Sequence, residues 1–288
     1  NSSSNVLKYD DAGGQYANLQ FDADQTFDLT VNNKFTFKIY IPSSSITGNQ
    51  PNQVEVKLQD GTSNQPWVGQ YGVITPLELD KWQSVMVDFS AKSSATNFNR
   101  IVFQVNSENN NDKVVAYVDD FEYYSPVVHD DFEGNGNITT WFGDSCNQNI
   151  VDNPFSGTIN TTAKVLKYDD YGGQYANIRL DLDAAKTKKL DLSVYNKITV
   201  KLYVPQDGIT GSQDNKLTVK LQDGSSGEPW VGQASQDQSF TVNEWQTLEF
   251  DFSNQKSETK YSRILIQFNG ENNSDKIVAY IDNIFVHR

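Results

Sequence analysis

The residues with the most chemistry to offer occur twice in this chain, in the same order. One copy runs VLKYDDAGGQYANLQFD (6–22) and then VKLQDGTSNQPWVGQ (56–70). The other runs VLKYDDYGGQYANIRLD (165–181) and then VKLQDGSSGEPWVGQ (219–233). Side-chain amides donate and accept hydrogen bonds at once, which matches hydroxyl groups that do the same. An aromatic ring covers an apolar C–H face. Tyr16, Lys57, Gln59, Gln104 and Asn106 are therefore candidate ligand-binding residues in the first copy, with Tyr175, Lys220, Gln222, Gln267 and Asn269 in the second. Trp67 and Trp230 stand on loops beside proline and glycine, where an exposed indole makes a stacking platform. Together these residues suit a neutral polysaccharide better than a catalytic centre. A solvated sheet face, with each tryptophan packed under its loop, is the plainer alternative. Keeping the same polar identities in both copies argues for a shared demand on the face.

Covalent chemistry finds little support. There are two histidines, His129 and His287, and one cysteine, Cys146. An intrachain disulfide is impossible, and a thiol nucleophile would lack a nearby histidine. No Ser–His–Asp, phosphate-loop or dinucleotide motif is present. A pair of carboxylates could hydrolyse a glycosidic bond, but a catalytic cleft is seldom built twice in tandem. The acidic phrases HDDFEG (129–134), YVDDF (117–121) and YIDNI (280–284) place carboxylates at strand ends. ENNNDK (108–113) and ENNSDK (271–276) are a second oxygen-rich group. Such clusters can hold Ca²⁺, which takes six to eight oxygens, or can simply cap loops.

Strands must position these residues. QYANLQFD, FTFKIYIP, VEVKLQ, WQSVMVDFS, RIVFQVN and VVAYVDDFEYY alternate or run apolar between turn signals, and no helical period intervenes. The fold class expected is all-β, with two tandem antiparallel β-sandwich (jelly-roll) modules. Alternation sends Ala17, Leu19 and Phe21 inward and Tyr16, Asn18 and Gln20 outward. Lys38, Tyr40, Lys57, Gln59, Gln104 and Asn106 also face out. The second copy repeats this with Tyr175, Asn177, Arg179, Lys201, Tyr203, Lys220, Gln222, Gln267 and Asn269. Trp82 and Trp245 begin a strand and are expected in the core or at its rim, and Trp141 in the core.

The copies span residues 1–125 and 161–288, with a four-residue insertion in the turn 183–191. Residues 126–160 have no counterpart ahead of the first copy. They are expected to open the second module, giving domains of 1–125 and 126–288. The first module then lacks its opening strands, which leaves an unpaired edge and an uncovered core.

The chain has 288 residues and a formal charge of −14. That length fits two domains of ordinary size. The acidic surface argues against a nucleic-acid or anionic-membrane partner and weakens the case for an acidic polysaccharide. No apolar run is long enough to span a bilayer. The polar lead-in NSSSN reads as a domain entered partway, with any targeting segment upstream or removed.

The phrases DDFEGNGNITTWFGD, VDNPFSGTINTTAKVLKY, EWQTLEFDFS and IVAYIDNIFV resemble carbohydrate-binding modules of the family-4 type and their relatives, which accompany laminarinases and surface glycan-binding proteins of Bacteroidetes. The resemblance covers 129–288 throughout and 5–124 without the opening part. It implies a jelly roll with no catalysis of its own, and a β-glucan ligand, laminarin-like β-1,3-glucan first. It implies a structural Ca²⁺ near Glu133 and Asp282, with Asp119 or Asp120 at the closing position of the first copy. It also implies an extracellular or cell-surface location within a larger multimodular protein. The competing expectations are a β-sandwich glycoside hydrolase or lyase, and a protein-binding adhesion or spacer module.

Overall fold

A computed structural model describes residues 4–30, 32–106, 108–109, 111–124, 126–134, 136–138 and 140–288. The start of the polar lead-in, residues 1–3, lies outside them. Among the described residues the regular structure is β-strand with short 3₁₀ turns, and no helix is long and apolar enough to cross a membrane. The chain divides into two compact units, Asn1–Ser125 and Pro126–Arg288.

Unit 1 contains β1 (Leu7–Asp11), β2 (Leu19–Asp22), β3 (Lys34–Tyr40), β4 (Gln53–Gln59), β5 (Tyr71–Pro76), β6 (Gln83–Asp88), β7 (Arg100–Val105) and β8 (Val114–Tyr123). Its two antiparallel sheets have the orders β1-β8-β3-β6 and β2-β7-β4-β5. Eight strands in these two orders, with only β4 and β5 joined as a hairpin within one sheet, make a jelly roll. Between the sheets Phe35, Phe37, Ile39, Val54, Val56, Leu58, Ile101 and Phe103 form the core. These are the positions that strand alternation assigns inward. β5 has no strong sequence signal, because it is an edge strand whose exposed positions alternate with half-buried ones.

Unit 2 begins with β9 (His129–Asp130), β10 (Phe142–Asp144) and β11 (Cys146–Asp152). The duplicated strands follow as β12 (Lys164–Asp170), β13 (Asn177–Asp181), β14 (Lys197–Tyr203), β15 (Lys216–Gln222), β16 (Ala234–Ser239), β17 (Trp245–Asp251), β18 (Arg263–Phe268) and β19 (Ile277–His287). Its sheets read β11-β12-β19-β14-β17 and β10-β13-β18-β15-β16, with β9 paired to β19. This is the same jelly roll with strands added at its edges. All three additions come from residues 126–160, and all three pair with strands of 161–288. The segment also puts Val128, Phe132 and Cys146 into the core, with Ile138 and Trp141 packed against it.

The repeated phrase DD-x-GG is a structural device in both units. Asp11 Oδ1 accepts from the amides of Gly13 and Gly14 at 2.8 Å, and Asp170 Oδ1 does the same for Gly172 and Gly173. Gly13 and Gly172 sit at φ +101°, and a Cβ there would meet a backbone oxygen at 2.9 and 3.0 Å. Glycine is thus required by conformation and by space.

One inward assignment needs correcting. Phe21 shares its face with Leu19, yet it is 45% exposed, resting edge-on against Phe121 at 5.3 Å. Its equivalent, Leu180, is 1% exposed. Leu7 and Leu166 differ in the same way, at 56% and 1%. In unit 2 β11 covers the flank of β12 and β10 that of β13, whereas β1 and β2 are edge strands. The same truncation should therefore have different costs. Leu166→Ala is expected to destabilise unit 2 by about 2–5 kcal/mol, as for a buried leucine, and Leu7→Ala to cost under about 1 kcal/mol. Urea denaturation of both full-length variants checks this, and equal losses would contradict it.

Candidate functional site

The outer face of β13-β18-β15 in unit 2 is concave and forms a groove of about 650 Å³. Alternation turns Asn177 and Arg179 of β13, Lys220 and Gln222 of β15, and Arg263, Leu265 and Gln267 of β18 onto its floor. Tyr175 stands at one end, and Pro229, Trp230 and Gln233 at the other. The structure thus brings Tyr175, Lys220, Gln222, Gln267 and Trp230 together along one groove. Trp230 is 60% exposed. Its loop turns through Gly232 at φ +72°, and the Val231 amide bonds to Glu228 O at 3.0 Å. The loop therefore holds the indole out over the groove instead of tucking it beneath.

Two of the cations on the floor are paired locally, and Arg179 lies over the Phe142 ring at 5.9 Å. Lys220 is buried and its ammonium pairs with Glu271. Arg263 is held by Asp181 through two bonds, Nε to Oδ1 at 2.6 Å and Nη2 to Oδ2 at 3.1 Å. Gln222 Nε2 donates to Gln233 Oε1 at 2.8 Å, which ties the tryptophan loop to the sheet. Three buried polar atoms lining the groove have no partner in the protein: Asn177 Oδ1, Arg179 Nε and Gln267 Oε1. A buried polar atom left unbonded costs about 1–3 kcal/mol, so the floor of the groove keeps unmet hydrogen-bonding capacity beneath its surface.

Unit 1 repeats the frame. Tyr16 is exposed and Trp67 is 60% exposed. Gln59 Nε2 donates to Gln70 Oε1 at 2.6 Å. Arg100 is forked onto Asp22, which holds the Asp22 carboxyl below the usual range. Lys57 differs from Lys220. It bonds Gln104 Oε1 at 2.8 Å and pairs with both Glu108 and Glu55. Gln104 is therefore already engaged where Gln267 is not.

Several expected residues lie elsewhere. Asn106 and Asn269 are left-handed residues at φ 63° and 57° that end their strands. Their Oδ1 atoms accept the amides of Gln53 and Lys216, so they fasten β4 and β15 and do not reach the groove. Lys38, Tyr40, Lys201 and Tyr203 belong to β3 and β14, on the opposite sheet from the groove. Asn177, Arg179, Gln233, Arg263, Glu271 and Asp144 also line the groove, beyond the candidates named from the sequence. Asn177 and Arg179 were available from parity, and Gln233 from the end of PWVGQ. Asp144 comes from the unrepeated segment, so no duplication pointed to it.

The carboxylates expected to hold Ca²⁺ have other partners. Asp282 is fully buried. Its Oδ2 accepts from Asn160 Nδ2 at 2.7 Å and Thr162 Oγ1 at 2.6 Å, and its Oδ1 from the Asn283 amide at 2.7 Å. The nearby Lys201 ammonium bonds Ile159 O at 3.2 Å. Glu133 accepts from the Lys164 amide. Asp120 pairs with Lys38 at 3.2 Å, and Asp119 Oδ1 accepts the Asp120 amide. N–H and O–H donors and lysines suit a carboxylate and do not fit a bound cation. The ENN loops likewise spend Glu108 and Glu271 on lysines. Among the described residues no group of three His, Cys, Asp or Glu could hold a metal. Cys146 is buried with its Sγ 3.0 Å from Asn177 O, and burial pushes its thiol up to about 12, well outside the nucleophilic range.

No family model and no curated protein matches the sequence. Among solved structures, the tandem CBM22-1–CBM22-2 domain of Paenibacillus barcinonensis Xyn10C aligns at 11% identity, covering 98% of this chain and 86% of that one, with a TM-score of 0.38. A CBM29-2 variant complexed with cellulohexaose aligns at 14%, covering 57% and 88%, with a TM-score of 0.36. TmCBM61 with β-1,4-galactotriose aligns at 13%, covering 52% and 90%, with a TM-score of 0.33. Similarity this distant carries nothing about ligand or role.

The state of Asp282 can be tested directly. Burial pushes its carboxyl up to about 6, so the folded protein holds this proton more tightly than the unfolded chain. Stability is then lost as pH rises from about 4 through about 6, by about 3 kcal/mol. Chemical denaturation at pH 4 and pH 7 should show wild type losing that amount relative to Asp282→Asn. A pH-independent difference would contradict it, and a difference made pH-independent by adding Ca²⁺ would restore the metal.

Proposed function

We propose that this chain is a non-catalytic glycan-binding protein whose two grooves hold a neutral polysaccharide, with a laminarin-like β-1,3-glucan as the first candidate. The observation that carries the proposal is the unit 2 groove: a 60%-exposed Trp230 over a floor lined by Asn177, Gln222 and Gln267. A sugar ring laid on the indole would offer its C–H face to the ring and its hydroxyls to the amides. Lys220 and Arg263 are paired locally, and the chain's charge of −14 repels an acidic polymer. The preference for β-glucan rests on the resemblance of the module phrases. An extracellular or cell-surface setting within a larger multimodular protein follows from the same resemblance.

Two weak sites on one chain raise apparent affinity for a polymer through effective concentration, with no new contact. In electrophoresis through gels containing laminarin, the wild type should be retarded and Trp67→Ala/Trp230→Ala should run as in plain gel. Each single variant should weaken binding by about 10–100-fold at its own site. Unchanged retardation of the double variant would overturn the assignment of the grooves. Release of reducing sugar from the same glucan would overturn the non-catalytic role.

A further inference from the structure

Segment 126–160 covers unit 2 in three places, and unit 1 leaves the equivalent place open each time. At the sheet edge, β11 pairs with β12 from Cys146↔Asp170 to Asp152↔Lys164, whereas β1 is an edge strand carrying exposed Val6 and Leu7. At the opposite sheet, β10 flanks β13, whereas β2 has a free edge and exposed Phe21. On the outer face, Phe155 stacks on Tyr203 at 4.0 Å and meets Tyr280 edge-on at 5.3 Å. The Phe155 carbonyl also accepts the Trp245 indole N–H at 2.9 Å.

The equivalent cradle in unit 1 is built from Tyr40, Trp82 and Tyr117, and among the described residues no ring takes the place of Phe155 on it. Tyr40 lies 5.7 Å from Trp82, the same spacing as Tyr203 from Trp245. Tyr40 and Tyr117 are 6.5 Å apart and tilted. Among the described residues nothing accepts from the Trp82 indole. Trp245 is buried beneath Phe155, while Trp82 is half-buried. An edge strand presents a row of unpaired backbone groups that can template strand pairing, and β1 does so with Leu7 exposed.

We propose that this side of unit 1 is the docking surface for one extended polypeptide segment of the 126–160 kind, supplied from ahead of β1. The segment would pair antiparallel with β1, shield Leu7 and Phe21, and set an aromatic ring against Tyr40 and Tyr117 with its carbonyl on Trp82. The occupant is inferred from unit 2, where a segment of known sequence meets all three demands at once. It stands apart from the glycan-binding proposal, because Leu7, Tyr40 and Tyr117 belong to β1, β3 and β8, in the sheet opposite the one that carries Gln59.

The test uses the full chain and adds a second copy of residues 126–159 ahead of Asn1, which keeps the spacing into β1 that unit 2 has into β12. Amide exchange at Leu7–Asp11 should slow by roughly tenfold or more, towards the rates of Leu166–Asp170. The same graft carrying Phe155→Ala should give back part of that protection. A synthetic peptide of residues 142–160 added to the unextended chain should slow the same amides, which guards against a misfolded graft. Unchanged exchange in both formats would overturn the proposal. So would protection of Leu7–Asp11 in the unextended chain that grows with protein concentration alongside a sedimenting dimer, since a second copy would then be the occupant.

Discussion

Packing of two sheet faces against each other governs everything else in both units. Each strand gives every second side chain to the space between the sheets, and that space must be filled to crystal-like density. Phe35, Phe37 and Ile39 on β3 meet Val54, Val56 and Leu58 on β4 across it. Ile198, Val200 and Leu202 meet Leu217, Val219 and Leu221 in unit 2. Once the inner face is committed, the alternate positions have no choice but to look outward. The same commitment that builds the core therefore lays Lys57 and Gln59, or Lys220 and Gln222, side by side on a concave outer surface.

That surface is unusual in how deeply it buries polar groups. Lys57 is 3% exposed, and a charge so far from water is costly unless it is paired. Glu108 and Glu271 supply the pairing from the ENN loops, and those loops also clamp the Gly-Gly turn through Asn109 N to Gln15 O and Asn272 N to Gln174 O. Tyr175 is fixed in turn by its hydroxyl on Asn272 Oδ1 at 3.0 Å. The groove is thus preorganised by its own ion pairs and loop contacts, which lowers the ordering cost of binding. Unit 1 carries an extra glutamate on its lysine and an engaged Gln104, so the matching face there has a different hydrogen-bonding capacity.

Much of this was legible in the sequence because a period of two is hard to disguise where apolar residues are large. The core of β3, β4 and β7 and the outward set of Tyr, Lys and Gln follow from alternation alone, and duplication checks each assignment against a second copy. Parity is silent on which sheet a strand joins, and so it merged Lys38 and Tyr40 with groove residues from the other sheet. It is also silent on backbone handedness. Asn106 and Asn269 have outward parity, but φ near +60° turns them into turn residues. Phe21 failed for a third reason, since inward parity buries a residue only if another element covers it. Asp144 and the cover on Trp245 come from the unrepeated segment, where no internal comparison exists. The carboxylates of YIDNI and ENNSDK had the composition of a cation site, and only their neighbours show that lysine and amide hydrogens occupy them.

The two jelly rolls thus share a frame and differ where a single segment is present or missing. In both, the central claim is that the polar face of the β-sheet containing Gln59 or Gln222 receives the ligand. The most direct measurement is two-dimensional NMR of tryptophan indole and side-chain amide signals during titration with a β-1,3-glucan oligosaccharide. The structure predicts shifts at Trp230, Asn177 and Gln267, with parallel shifts at Trp67 and Asn18, while the Trp82 and Trp245 indoles stay still. Shifts confined to Trp82 or Trp245, on the opposite sheet, would contradict it.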